Sequence, residues 1–164
     1  DCLQLLVDAK AVLDVKDSFG KTALMMAAEH NKSDCVELLV HANADLEAKD
    51  HEGKTALMLA IEPHCMELLI EAKAELEAQD NAGYTALMLA AMNNKEECVR
   101  LLFDSNADIE AEDWEGRTAL MLAVSEGHTQ CVQLLADANT IAAQPPQRKR
   151  RRACDASPPR KQRR

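Results

Sequence analysis

A near-identical five-residue segment occurs four times in the chain and constrains the fold more than any other feature. Its copies begin at Lys21, Lys54, Tyr84 and Arg117, and each continues with Thr-Ala-Leu-Met. The threonines are separated by 33, 30 and 33 residues. A fixed period of this length indicates a chain built by stacking one supersecondary unit. Stacked units form an extended surface, which favours the binding of other macromolecules.

The first half of each unit has the pattern of a turn followed by a short helix. In residues 17–49, Gly20 provides the positive φ that a tight turn requires. Thr22 precedes a run rich in Ala and Met, and it is a suitable N-cap. The sequence therefore predicts a helix from Ala23 to His30.

The second half has the pattern of an amphipathic helix followed by an extended exit arm. Asn31 can take the left-handed conformation that ends the first helix. Ser33 is predicted to cap a second helix, from Asp34 to about His41, in which apolar residues recur at helical spacing. Asn43 is suited to end this helix, and an extended arm then leads to the next turn.

The complete pattern resembles the ankyrin repeat. Asp-x-x-Gly-x-Thr-x-Leu, an Ala-rich helix, a second helix with Val-x-Leu-Leu and an Ala-Asp-Leu exit recur in register over residues 1–144. The resemblance implies an all-α solenoid of antiparallel helix pairs. It also implies hairpin-like turns that project as a row of fingers, and a concave surface made by the fingers and the first helices. We predict a partial unit at 1–16, repeats at 17–49, 50–79, 80–112 and 113–144, and a disordered basic tail at 145–164.

Besides the Ala that replaces the usual Pro after each Thr, two columns of residues depart from the family pattern. The usual His of the first helix is replaced by Met, which is not expected to restore the hydrogen bond that His makes to the Thr. We interpret this column as core filling, because Met adapts to irregular gaps; it comprises Met25, Met58, Met88 and Met121. The usual exit-arm Asn is acidic, which predicts a solvated row of carboxylates at Asp14, Glu47, Glu77 and Glu110.

The repeat at 50–79 is three residues shorter than its neighbours. The loss falls between its helices, where Pro63 should end the first helix at about Glu62 and begin the second. We predict a local weak point, or a change in the curvature of the stack, at this position.

The two ends of the array differ. The chain begins at Asp1, without Met and inside a repeat, so we expect a fragment that further repeats precede. The last second helix is more polar, with Gln130, Gln133 and Asp137, and we expect it to end the array.

Charge divides the chain into an acidic body and a basic tail. Residues 1–144 contain 27 acidic and 10 basic residues, a net charge of −17, whereas residues 145–164 contain 1 acidic and 9 basic residues, a net charge of +8. The body is therefore not expected to bind nucleic acid, and its field would steer a basic protein partner towards it. The alternative is that these charges only keep the outer faces soluble.

Five cysteines occupy one position of the repeat, at Cys2, Cys35, Cys65, Cys98 and Cys131. Equivalent positions in packed helices are roughly 8–10 Å apart, which exceeds the reach of a disulfide. Each thiol is expected to be a small buried apolar group. This usage is typical of a reducing compartment, so we predict a cytoplasmic or nuclear location, or both.

No sequence motif indicates catalysis, so we do not expect an enzyme, and no cofactor is expected. His128 lies three residues before Cys131, and His64 adjoins Cys65, but a zinc site needs about four converging ligands. We interpret these residues as surface histidines and core cysteines. No apolar run approaches the roughly 20 residues that a membrane helix needs, so a membrane partner is not expected.

Candidate binding residues lie where the repeats differ from one another. The turn tips and the exposed ends of the first helices vary, and three of the four aromatic residues occur at the tips. An exposed aromatic ring is a typical interface anchor, although the rings could instead pack over neighbouring turns. We expect a monomer that binds a protein partner through Phe19, His51, Glu52, Tyr84, Met92, Trp114, Glu115 and Arg117.

The tail carries two basic clusters, which are typical of nuclear import signals or nucleic-acid patches. An import receptor is thus a candidate partner; the alternatives are a solubilising end, or a tail that folds back on the acidic body. The clusters comprise Arg148, Lys149, Arg150, Arg151 and Arg152, and then Arg160, Lys161, Arg163 and Arg164.

Three functions remain open at this point. The first is a protein–protein interaction module that binds on the concave face. The second is an adaptor or regulatory arm of a larger ligase, kinase or channel, whose active part would lie upstream. The third is a nuclear or nucleic-acid-associated protein that acts through its basic tail.

Overall fold

The computed structural model describes residues 12–142, which form eight helices and no strand. Within each helix pair the two helices contact each other, first helices pack on first helices, and second helices pack on second helices. The predicted all-α solenoid of stacked helix pairs is confirmed. The helices are α1 (Ala23–Glu29), α2 (Ser33–His41), α3 (Ala56–Leu59), α4 (Pro63–Glu71), α5 (Ala86–Met92), α6 (Glu96–Asp104), α7 (Ala119–Ser125) and α8 (Thr129–Ala142).

Threonine precedes every first helix in an extended conformation, as predicted for Thr22. The hydroxyls of Thr22, Thr85 and Thr118 accept hydrogen bonds from the amides three residues later, each at 3.4 Å. Thr55 is the exception, because its buried hydroxyl has no hydrogen-bond partner. Side-chain capping therefore supports α1, α5 and α7 but not α3.

The connection between first and second helices is held by the main chain. Asn31 adopts a φ of 54°, as predicted, and the Lys32 amide donates to the Ala27 carbonyl at 2.8 Å. The prediction that Ser33 caps the second helix is wrong: Ser33 is already helical, and Lys32 is the N-cap without a side-chain hydrogen bond. Because Asn31 is left-handed, the chain turns so that the Lys32 main-chain amide bonds to the Ala27 carbonyl, and the turn is held without a side-chain cap. Asn43, with a φ of 59°, reverses the chain after α2, also as predicted.

The short repeat begins its second helix at Pro63, as predicted, but α3 is only four residues long. The helix ends at Leu59, three residues before the expected Glu62, because Ala60 is already extended (φ −74°, ψ 94°). The missing residues are therefore removed from the end of the first helix and from the turn that follows it.

The methionine column fills the core in three repeats out of four. Met25, Met58 and Met88 are buried as predicted, but the prediction is wrong for Met121, which is exposed because no described repeat covers it. Met25 also makes a hydrogen bond to the Thr, which the sequence analysis did not expect of a methionine. The Thr22 amide donates to the Met25 sulfur at 3.4 Å, because a thioether is a weak acceptor.

The cysteine column is buried at Cys65, Cys98 and Cys131 and only half-buried at Cys35. The buried thiols also donate to the preceding repeat, which the repeat pattern alone did not indicate. Their acceptors are the Asn31 side chain at 3.3 Å, the Ile61 carbonyl at 3.5 Å and the Asn94 side chain at 3.7 Å. Burial raises the pKa of all three thiols, to about 11 for Cys98, so they remain protonated donors at neutral pH.

Candidate partner-binding fingers

Each finger is shaped by an aspartate at its base. We define the four fingers as residues 17–21, 50–54, 80–84 and 113–117. In each, one carboxylate oxygen of the Asp accepts two main-chain hydrogen bonds, from the residues two and four positions later, at 2.8 to 2.9 Å. The fourth residue is a Gly with a φ between 74° and 86°. Repeated residues thus fix the backbone, and the second, third and fifth positions are left to vary.

Successive fingers are joined to one another. The second residue of a finger lies over the glycine of the preceding finger, so that a Cβ on Gly83 would come within 2.8 Å of the Trp114 ring. The same residue donates its amide to the preceding finger. These bonds run from His51 to Phe19 at 3.1 Å, from Asn81 to Glu52 at 2.9 Å and from Trp114 to Ala82 at 3.3 Å. The finger tips therefore form one connected row.

Two aromatic side chains project from this row. Phe19 is 69 % exposed and Trp114 is 68 % exposed. The Trp114 indole N–H donates to the Asn81 carbonyl at 3.2 Å, and its ring lies over Gly83. Trp114 therefore combines the two alternatives considered from sequence: one part of the ring packs on the neighbouring turn, and the remainder faces solvent.

Tyr84 and Arg117 are occupied by contacts within the protein. Tyr84 is half-buried, and its hydroxyl lies 2.6 Å from the donating Arg117 guanidinium, which also stacks 5.8 Å from the ring centroid. Arg117 further donates to Asp113 at 2.8 Å and pairs with Glu115 at 3.0 Å. Burial would raise the pKa of Asp113, but the hydrogen bonds from Arg117 and Glu115 outweigh it and lower that pKa.

The remaining predicted residues are His51, Glu52 and Met92. His51 is exposed, and Glu52 is exposed but paired with Lys54 at 2.7 Å; the hydrogen bond from Lys54 lowers the Glu52 pKa. Met92 is half-buried, and its carbonyl accepts a hydrogen bond from the His128 ring at 2.9 Å. The predicted finger residues are spread along the row, three in the first two fingers and four in the last two. The first three are Phe19, His51 and Glu52, and the other four are Tyr84, Trp114, Glu115 and Arg117.

The exit-arm carboxylates do more than face solvent, which corrects the sequence-based interpretation. Asp14, Glu47 and Glu77 each accept a main-chain hydrogen bond from the exit arm of the following repeat, at 2.8 to 2.9 Å. Partial desolvation of the otherwise exposed Glu77 side chain and the neighbouring carboxylates of Asp108 and Glu75 raise the Glu77 pKa, although the bond from the Asp108 amide opposes this. The acidic row thus connects consecutive repeats along the edge of the stack.

Sequence reasoning missed Asn81, which connects neighbouring fingers. Its side-chain amide donates to the His51 carbonyl at 3.0 Å, and its own carbonyl receives the Trp114 indole N–H. Asn81 occupies the same finger position as His51 and Trp114, both of which were selected. That shared position was the signal that could have identified it.

The remaining expectations from sequence concern metal ions, membrane helices and the basic tail. Within residues 12–142, no group of three or more His, Cys, Asp or Glu side chains is placed to hold a metal ion. No helix in that range has the length and apolar character to cross a membrane. The basic clusters of the tail, like Cys2 and the partial repeat up to residue 11, lie outside the described residues.

The stacked helix pairs and the connected fingers define a repeat solenoid that presents variable side chains on a fixed backbone. The chain matches the family described as "Ankyrin repeats (3 copies)" over residues 1–80 and again over residues 62–145, and it belongs to that family. The resemblance stated from sequence is confirmed. Ankyrin repeats generally serve as protein–protein interaction modules and are typically non-enzymatic. Comparison with curated proteins gave no match.

Proposed function

We propose that this array binds a protein partner on the face formed by the finger tips and the first helices, with Phe19 and Trp114 as the principal anchors. The supporting observation is that both rings are exposed while the fingers that carry them are fixed by hydrogen bonds. Exposed aromatic rings supply large contact area, and a preorganised backbone lowers the entropy cost of binding.

The other predicted residues have supporting roles in this proposal. Tyr84 and Arg117 stiffen the last two fingers through their mutual hydrogen bond. His51, Glu52 and Glu115 provide a polar rim, and Met92 adds apolar surface at the end of α5. The net charge of −17 on residues 1–144 favours a partner with a basic docking segment. Association should therefore slow as the salt concentration rises.

The test is affinity capture from a cell lysate with the full chain as bait. The wild type is compared with a Phe19→Ala/Trp114→Ala double variant and with Val12→Ala, which removes an exposed apolar side chain outside the fingers. We expect proteins retained by the wild type and by Val12→Ala to be lost from the double variant. For a purified partner, the loss of two anchors should weaken binding by about thirtyfold or more. Identical capture by all three proteins would contradict the proposal, provided that their circular dichroism spectra agree.

A further inference from the structure

An open cleft lies where the exit arms of the repeats at 17–49 and 50–79 meet the third finger. Its volume is about 600 Å³, and Trp114 of the fourth finger also lines it. We call it the acidic cleft, because four carboxylates and one ammonium line it, a net charge of −3. Its charged lining residues are Glu47, Lys49, Glu75, Glu77 and Asp80.

The exit-arm carboxylates of the cleft retain the capacity to bind a cation. Glu47 and Glu77 each use one oxygen to accept a main-chain amide of the next exit arm, at 2.8 Å. Within residues 12–142, neither of them nor Glu75 takes part in an ion pair. The ammonium of Lys49 donates to the Gln79 carbonyl at 2.7 Å. The described residues therefore leave most of the negative charge of the cleft without a counterion.

Asp80, at the base of the third finger, has no basic residue in its own finger. The fifth residue is basic in the other three fingers, and Arg117 donates to the second carboxylate oxygen of Asp113 at 2.8 Å. In the third finger this residue is Tyr84.

Burial makes the missing cation at Asp80 significant. Asp80 is 7 % exposed, and one of its oxygens accepts two main-chain amides, at 2.9 Å each. Its other oxygen accepts no hydrogen bond from the described residues, and Lys54 acts on it only through space, without an ion pair. A buried carboxylate is normally compensated by a cation or by further donors. Asp80 is therefore suited to a cationic donor from a bound partner.

The ring of Trp114 adds an aromatic surface to the acidic lining. An aromatic face attracts a cation, and a planar guanidinium can stack on a ring while it pairs with a carboxylate. The protein already contains this arrangement once. The Arg117 guanidinium lies 5.8 Å from the centroid of the Tyr84 ring and pairs with Asp113 at 2.8 Å. Trp114 and the cleft carboxylates provide the same two kinds of group for a guanidinium that the chain does not itself supply.

The preceding junction, one repeat earlier, lacks this combination. Lys16 and Lys49 stand there at the positions that Lys49 and Gln79 occupy in the cleft, so a second ammonium is present. Asn81 stands there at the position of Trp114, so the aromatic ring is absent. The cleft is therefore a local feature of one junction and not a general property of the repeat.

We propose that the acidic cleft receives an arginine side chain of the protein partner, held by the cleft carboxylates and the ring of Trp114. Charge complementarity requires a cation, and the ring beside the carboxylates favours a guanidinium over an ammonium, since only the former is planar. The inference deepens the proposed function and rests on it, because Trp114 belongs to both surfaces. It assigns one partner side chain, whereas the net charge of the body favours any basic segment.

The experiment titrates the ¹⁵N-labelled full chain with a capped pentapeptide that has one arginine between two pairs of glycines. Two-dimensional NMR is suited to the weak binding of a single side chain. We expect saturable shifts of the main-chain amides at 75–81 and of the Trp114 indole N–H. The same peptide with citrulline, a neutral isostere of arginine, should cause no saturable shift. The peptide with lysine should bind about threefold more weakly or less tightly still, because an ammonium does not stack.

Two charge-matched variants locate the binding. Glu75→Gln/Glu77→Gln removes two charges from the cleft, keeps the oxygen that accepts the Asp108 amide and leaves both proposed aromatic anchors in place. It should weaken binding of the arginine peptide about fivefold. Asp34→Asn/Glu37→Gln changes the net charge equally at two exposed carboxylates of α2. This control should weaken binding by less than about twofold, because salt screens charges outside the cleft.

Three outcomes would overturn the proposal. They are the absence of saturable shifts with the arginine peptide, equal binding of the citrulline peptide, and equal losses in the two variants. Equal binding of the lysine peptide would show that the cleft recognises charge alone, and it would overturn the assignment to arginine. Both variants should keep the wild-type NMR spectrum away from their substitutions, which establishes that they are folded.

The outcome is separable from that of the proposed function. Lysate capture that depends on Phe19 and Trp114, together with peptide binding that does not depend on Glu75 and Glu77, would retain the proposed function and remove the cleft. Capture that survives the aromatic substitutions, together with peptide binding that the cleft variant weakens, would remove the aromatic anchors and retain the cleft as a site for arginine.

Discussion

The short repeat (50–79) and the complete repeat that follows it (80–112) bury most of the same apolar positions while differing in how their helices end. The first helix has four residues in the short repeat and seven in the complete one. Leu57 and Leu87, at the same position of the two helices, are nevertheless each 1 % exposed. The deletion therefore shortens the first helix and leaves most of the apolar packing in place, but Ile61 is 42 % exposed where the complete repeat has the fully buried Ala91.

The polar contacts of the two repeats differ more than the apolar ones. The Thr85 hydroxyl caps its helix, whereas the Thr55 hydroxyl is buried without a partner. The thiols of Cys65 and Cys131 donate to an Asn side chain, but Cys98 donates to the Ile61 carbonyl, because the short repeat lacks the left-handed Asn. The comparison indicates that apolar stacking defines the repeat and that polar groups adapt to it.

The largest loss of stability is expected from substitutions at an apolar position that the two repeats bury alike. Leu57→Ala and Leu87→Ala should each lower the free energy of unfolding by about 2–5 kcal/mol, because each removes a fully buried side chain. Urea unfolding followed by circular dichroism measures both. Val12→Ala is the control and should change the stability by less than about 0.5 kcal/mol, since Val12 is exposed. A much smaller loss at Leu57 would show that the short repeat is packed less well than its burial indicates.

Local opening should distinguish the two repeats. Amides of α3 and of the connection to Pro63 are expected to exchange with deuterium about tenfold faster, or more, than those of α5, because α3 has one helical turn and no side-chain cap. Hydrogen exchange followed by mass spectrometry or NMR tests this. Equal protection of the two segments from exchange would contradict the prediction that the short repeat is a local weak point.

Thr85 and Thr55 occupy the same position in the two repeats, and opposite effects are expected when each is replaced. Thr85→Val should cost about 1 kcal/mol, because it removes the acceptor that caps α5. Thr55→Val should cost nothing or be slightly stabilising, because it removes a buried hydroxyl that has no partner. Thermal unfolding of the two variants gives the comparison. Equal losses would mean that Thr55 has a partner in solution.

The smallest change in stability is expected at Glu77, whose carboxylate accepts a hydrogen bond from the Asp108 amide of the next repeat. Because the Glu77 pKa is raised in the folded state, the folded protein holds this proton more tightly than the unfolded chain. The resulting stability is fully present below the ordinary pKa of 4.5 and is lost as the pH rises through the raised value. Glu77→Gln keeps an oxygen that can accept from the Asp108 amide, so it should stabilise by at most a few tenths of a kcal/mol at neutral pH, since Glu77 is exposed.

The pH dependence is the decisive part of that measurement. The difference between Glu77→Gln and the wild type should disappear well below pH 4.5, where both side chains are neutral. Unfolding midpoints at the two pH values test this directly. A difference of the same size at both would assign the effect to something other than the charge.

The repeat architecture was predictable because its signals are local. The glycine and asparagine residues that need a positive φ, and the threonines before each first helix, each act within a few residues of the chain. Ser33 was assigned wrongly by the same local reasoning, because a helix start capped by a side chain and a helix start held by a main-chain turn have similar sequences. Local chemistry therefore identifies the elements more reliably than it assigns the group that ends them.

Contacts between repeats could not be predicted in this way. Met121 has the same sequence surroundings as Met88, yet it is exposed because nothing described follows it in the stack. Sequence variation identified Phe19 and Trp114 at the finger tips, but not that the Trp114 ring lies over Gly83 or that Asn81 accepts its N–H. Those facts depend on how one finger sits on another, which the pattern within a single repeat does not contain.

Trp114 is the one tryptophan of the chain, and its indole is hydrogen-bonded to the neighbouring finger while most of its surface meets water. Its fluorescence is therefore a local signal that an otherwise aromatic-poor protein provides without any label. Emission excited selectively in the indole band should report on the junction between the third and fourth fingers. A spectral shift on addition of a ligand, at constant helical dichroism, would locate the contact at that junction.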